Sequence, residues 1–147
     1  MFEGIKFNFR LLKLQRQRSK VKAFYNKANI EARKKGESRE ELEGIWQEER
    51  MELVLIDDDI SHLISQRLLS LAEEYLLPRP EFKEEGKWIE SKVNPNSYRL
   101  SPLAISELRS AVRKEQKERY EHIFMWLAAI TGIIGAISGL VAVIGSK

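Results

Sequence analysis

There is no cysteine among the 147 residues. A disulfide framework, a thiolate zinc site and a cysteine nucleophile are excluded by that absence alone. Histidine is almost as scarce, with only His62 and His122. No serine sits in a nucleophile-elbow setting, and no glycine-rich phosphate loop is present. The chain therefore does not read as an enzyme, and no catalytic residue, metal or cofactor is expected. The N-terminal MFEGIKFNFRLLKLQRQR lacks a continuous apolar core, so it does not read as a secretion signal. Net charge is small too, at +3, which is too little to argue for a nucleic-acid or anionic-lipid partner.

One absence is local. Charged residues make up 32% of the chain, yet none lies between Ile123 and Ile144. A helix over that stretch is about 33 Å long at 1.5 Å per residue, enough to cross a hydrocarbon core of about 30 Å. It has no polar stripe, which the core helix of so small a protein needs. Residues 123–144 are thus expected to span a lipid bilayer. Arg109, Arg113, Lys114, Lys117 and Arg119 precede the stretch, and Lys147 alone follows it. That asymmetry predicts a single-pass protein with its N-terminal side cytosolic. Tyr120, His122 and Trp126 fall where amphipathic rings favour the headgroup zone. Small size and the lack of organelle signals point to a bacterial inner membrane, with a eukaryotic tail-anchored protein as the alternative.

What is present is charge in blocks. From Lys6 to Lys35 the basic residues are Lys6, Arg10, Lys13, Arg16, Arg18, Lys20, Lys22, Lys27, Arg33, Lys34 and Lys35, against the lone acid Glu31. From Glu37 to Asp59 the balance reverses, with Arg39 and Arg50 the only cations. Between the blocks, Gly36 suits a helix C-cap, and Ser38 with Glu41 forms a capping-box pattern. An apolar seam at 4-3 spacing runs through the first block: Phe7, Leu11, Leu14, Val21, Tyr25, Ala28 and Ala32, broken only by Arg18. The second continues through Leu42, Ile45, Trp46, Leu53, Ile56, Ile60, Leu63, Ile64, Leu68, Leu71 and Tyr75. Such periodicity predicts two long paired helices, and the short connection makes them an antiparallel, coiled-coil-like hairpin over 1–77. Folding back sets the basic arm beside the acidic one.

Pro78 and Pro80 close the second helix. Residues 78–101 are expected to be irregular, with a short β-hairpin from Trp88-Ile89 to Ser97-Tyr98-Arg99-Leu100 turning at Asn94-Pro95-Asn96. Ser101 as N-cap and Pro102 at the first helical position then open a juxtamembrane helix over 102–122. No Gly or Pro separates it from the apolar stretch, so one continuous helix is expected to about Ile144.

The densest polar cluster is Asp57, Asp58, Asp59 and His62. Asp58 and His62 share a helix face, a spacing that two ligands of a divalent metal can use, but further ligands are lacking. A solvated acidic face is the expectation. Within the apolar stretch, Ala128, Gly132, Gly135, Gly139 and Ala142 recur at 4-3-4-3 spacing, bordered by Thr131 and Ser138. Small residues let helix backbones approach closely in lipid, so this stripe predicts a homo-oligomer.

The fold expected is mainly all-α: a helical hairpin, a small insert and a long C-terminal helix entering the membrane. Two functions fit. One is a self-associating scaffold presenting the hairpin to a cytosolic protein partner. The other is a membrane-perturbing effector, of toxin or host-defence type, that oligomerises through its span.

Overall fold

The computed structural model describes residues 2–145, with side chains described for residues 3–135. It contains α1 (Phe2–Lys35), α2 (Arg39–Glu74), β1 (Trp88–Glu90), β2 (Tyr98–Leu100) and α3 (Pro102–Gly145). The molecule is mostly helical, built from a helical hairpin and a long helix with one two-stranded sheet between them.

The first turn of the chain is set by local hydrogen bonding. Arg33, Lys34 and Lys35 fill the last turn of α1, where cations face the negative end of the helix dipole. Gly36 takes a left-handed φ of 73°, its amide donating to Arg33 O and the Glu37 amide to Ala32 O. This pairing satisfies carbonyls the helix would otherwise leave bare. Ser38 then caps α2: its hydroxyl accepts from the Glu41 amide, and the Glu41 carboxylate accepts from the Ser38 amide. Both orphan donors are satisfied reciprocally. Three residues therefore reverse the chain.

Along the hairpin Tyr25, Ala32 and Ile56 are buried, and Phe7, Leu11, Leu14, Val21, Leu53 and Ile60 are partly buried. Trp46, expected in the seam, is instead exposed, because Ile45 occupies the inward position and neighbours on a helix point about 100° apart. The apolar face of α2 also changes partner along its length. Leu53 to Leu63 serve α1, whereas Ile64, Leu68 and Ala72 join Leu100, Ala104, Ile105 and Leu108 in a second core. Tyr75 likewise turns to α3, accepting from Gln116 and lying under the Arg119 guanidinium.

The small sheet is antiparallel, with Trp88 opposite Leu100, Ile89 opposite Arg99 and Glu90 opposite Tyr98. Its turn carries Asn96 at φ 67°, a conformation asparagine tolerates better than most residues. Leu100 is fully buried, and its amide donates to the buried Ser65 hydroxyl at 3.0 Å. Ser101 caps α3 through the Ala104 amide and donates its own hydroxyl to Gly86 O. From there α3 runs alongside α2 in the same direction, past Leu68, Ala72 and Tyr75.

Candidate interaction surfaces

Two adjacent aspartates on α2 organise the body. Arg18, the residue that interrupts the α1 seam, places Nε 2.6 Å from Asp57 Oδ1 and donates a second hydrogen bond to Oδ2 at 3.2 Å. Hydrogen bonding to Asp57, then its charge, raises the Arg18 pKa above its ordinary value. Seven residues on, the Tyr25 hydroxyl donates to Glu52. Burial first, then Glu52 and the neighbouring Glu48 and Glu49, push the Tyr25 phenol up. Among the described residues Arg18–Asp57 is the single ion pair joining α1 to α2; Lys27–Glu31 and Arg39–Glu43 stay within one helix. The opposed charge blocks thus meet as facing solvated arms, with direct contact concentrated at one point. Apolar packing carries the pairing.

Asp58 points another way and is buried, 5% exposed. It accepts from Arg99 Nε at 2.9 Å and from the Ser91 hydroxyl at 2.5 Å. Burial alone would push its carboxyl up. The hydrogen bonds from Ser91 and Arg99, the Arg99 charge and the Lys92 amide together outweigh burial and hold it below its ordinary value. Ser91 in turn accepts the Val93 and Asn94 amides, so the carboxylate is tied into the β-turn itself.

The Asp57–Asp58–Asp59–His62 cluster does not converge. Asp57 is taken by Arg18 and Asp58 by Arg99, while the His62 ring meets Gln66. Among the described residues no group of three or more His, Cys, Asp or Glu is placed to hold a metal ion. Neither pair was legible in the sequence. Their partners stand 39 and 41 positions away, and no local pattern relates them.

The third feature is α3 beyond Arg119. Ile123, Phe124, Met125, Trp126, Leu127, Ile130, Ile133 and Ile134 are all exposed, with Phe124 67% exposed. A Cβ added at Gly132 or Gly135 would meet nothing within 4 Å. The Thr131 hydroxyl donates to Leu127 O at 2.8 Å within the helix. Ala128, Gly132 and Gly135 lie together on this helix, whereas Gly139 and Ala142 lie outside the residues whose surroundings are described. Among the described residues no helix is long and apolar enough to cross a membrane. The expected span runs on through residues 136–144, also outside the described side chains.

Set beside protein-family models, curated proteins and solved structures, the chain matches none. Its function must be argued from these surfaces.

Proposed function

We propose that this chain is a membrane-anchored, self-associating interaction module. Residues 123–144 form the anchor, and the body before them lies in the cytosol and presents the helical hairpin to a protein partner. The observation that carries the reading is the exposed apolar end of α3. Along residues 123–135 the large apolar side chains Ile123, Phe124, Met125, Trp126, Leu127, Ile130 and Ile133 are all exposed. Each such side chain is worth about 2 kcal/mol when removed from water, so a cover is strongly favoured. Lipid is a cover that suits all faces at once. The Thr131 hydroxyl bonded to its own helix fits a medium without water. The five cations from Arg109 to Arg119 fit a cytosolic flank.

Self-association is supported by the stripe of Ala128, Gly132, Gly135, Gly139 and Ala142, where close approach of backbones replaces the hydrophobic drive that lipid removes. In sealed inverted vesicles the chain is expected to resist alkaline carbonate, and added protease to digest the body up to about residue 120. Gly135→Leu and Gly139→Leu are expected to insert normally but to lose cross-linked oligomers, while Ile137→Leu changes neither. Carbonate release of the wild-type chain would refute the anchor. A membrane-perturbing effector is the competing function. Thr131, one of two hydroxyls available to line a wet pore, is already engaged within its helix. Controlled overexpression with a membrane-potential dye separates the two: a scaffold leaves the potential intact, and an effector collapses it.

A further inference from the structure

The antiparallel register divides the basic helix unequally. Asp57 meets Arg18 and Glu52 meets Tyr25, so the acidic stretch of α2 faces the second half of α1. The first half faces residues 59–72, whose single acid is Asp59 beside Arg10 and Lys13, and which add Arg67 beside Gly4. Among the described residues Lys6, Arg10, Lys13 and Arg67 enter no ion pair. Interleaved with these cations are Ile5, Phe9 and Leu12, all exposed, at the 4-3 spacing that makes one stripe on a helix; Phe9 is 72% exposed. This stripe is separate from the seam and stays exposed in the described structure.

A surface of opposite character lies across α2. The loop after α2 exposes Glu81, Phe82, Glu84 and Glu85, with Phe82 67% exposed. No ion pair neutralises these three carboxylates among the described residues. Lys83 in the same loop turns its ammonium over the Phe82 and Tyr98 rings. The loop is held against α3 by Lys87–Glu107, and Pro80 and Glu84 gather beside Ala104 and Leu108. Those two residues cluster with Leu68 and Ala72, while Phe7 and Arg10 border Leu63 and Arg67. The basic and acidic patches are therefore level along α2. Leu63 and Arg67 point roughly 140° away from Leu68 and Ala72 at 100° per residue, so the patches flank α2 on nearly opposite sides.

We propose that the N-terminal face of α1 docks on the Glu81–Glu85 loop of a second copy of this chain. Ile5, Phe9 and Leu12 cover Phe82 of the neighbour, and Lys6, Arg10 and Lys13 meet its carboxylates. The contact is head-to-tail, because the two patches differ and sit on different sides of one molecule. It draws on the anchoring reading for alignment: copies held in one membrane in the same orientation keep both patches at the same height. Charge complementarity selects this occupant. A second α1 face would set cation against cation, and the acidic loop is the matching apolar-acidic surface at that level.

The absence of native cysteine makes the test direct. Full-length Phe9→Cys and Phe82→Cys chains, co-reconstituted in vesicles and treated with a short bis-maleimide, are expected to give the mixed 9–82 dimer, with 9–9 and 82–82 products at background. Lys6→Glu, Arg10→Glu and Lys13→Glu together lower its yield about tenfold, as do Glu81→Lys, Glu84→Lys and Glu85→Lys together. A chain carrying both sets recovers it. Failure of that chain to recover while its helicity stays native overturns the pairing, and so does a dominant 9–9 product. A lipid-shielded fluorophore at position 9 of the Phe9→Cys chain, in vesicles holding single copies, assigns the face to the bilayer and also overturns it. Carbonate extraction of the same vesicles keeps the two readings apart. A released chain that still gave the mixed cross-link leaves the contact standing without the anchor. A retained chain with no cross-link overturns the contact and leaves the anchor.

Discussion

Asp58 Oδ1 and Arg99 Nε stand 2.9 Å apart, although 41 positions separate them in the chain. The preceding residue, Asp57, turned about 100° around the helix, reaches Arg18 instead. Two consecutive carboxylates on α2 thus hold the hairpin on one side and the small sheet on the other.

Removing the Asp58 carboxylate should be costly. Asp58→Ala leaves the largely buried Arg99 guanidinium and the Ser91 hydroxyl without their acceptor. Breaking one partner of a buried pair costs about 3 kcal/mol, because the remaining charge stays desolvated. Urea unfolding in detergent should show that loss, while the exposed Asp59→Ala stays within about 0.5 kcal/mol. A change below about 1 kcal/mol for Asp58→Ala would mean the pair is solvated in solution.

The same group fixes a pH dependence. Its folded pKa lies below the unfolded value, so the unfolded state binds the proton more readily. The stability it contributes is fully present above the unfolded carboxylate pKa, near 3.9, and is lost as pH falls through the depressed folded value. Unfolding midpoints should therefore fall more steeply below about pH 4 in the native chain than in Asp58→Asn, which has no proton to take up. Parallel acid limbs for the two proteins would contradict this assignment.

Arg18 gives a prediction of the opposite sign. It occupies a seam position otherwise filled by apolar residues, and both it and Asp57 remain partly exposed. Solvent screening consequently leaves its ion pair a weak contributor. Arg18→Leu completes the seam and should raise Tm by a few degrees. The cost should appear in register: a polar seam residue pairs with one partner only, whereas leucine packs at neighbouring positions too. Spin labels across the hairpin should show a broader distance distribution in the variant. A lowered Tm would make Arg18–Asp57 a net stabiliser.

Leu76 offers a stabilising change with no packing loss. It holds φ 55° at the end of α2, where its amide bonds Glu73 O and the next amide bonds Ala72 O. Its side chain is 91% exposed. A left-handed backbone costs a non-glycine residue about 1 kcal/mol, and glycine avoids that cost. Leu76→Gly should therefore raise unfolding stability by up to about 1 kcal/mol, measured by urea titration. A loss would indicate that this leucine is covered by a partner or another copy.

How much of this was legible depended on the range of the interaction. Gly36, Ser38 and Glu41 announced the reversal between α1 and α2 because capping acts over three or four residues. Phe7 to Ala32 announced a helix face because helical period repeats locally. Ser101 and Pro102 announced the start of α3 for the same reason. Trp46 was misplaced because a 4-3 pattern with two adjacent apolar residues does not say which one turns inward. Leu68 and Tyr75 were assigned to the hairpin because periodicity identifies an apolar face without naming what covers it.

The amino-acid sequence alone determined the helices, their ends, the turn and the uncharged stretch after Glu121. Each of these rests on residues within a few positions of one another, where backbone geometry and hydrogen-bond reach leave few alternatives. Only the tertiary structure decided that Asp57 serves Arg18 while Asp58 serves Arg99, and that Lys6, Arg10 and Lys13 near the N-terminus of α1 enter no ion pair among the described residues. Those outcomes follow from the antiparallel register and from which side of α2 receives α3. Both are set by the packing of side chains distant in sequence, and one residue of slip would rewrite every pair.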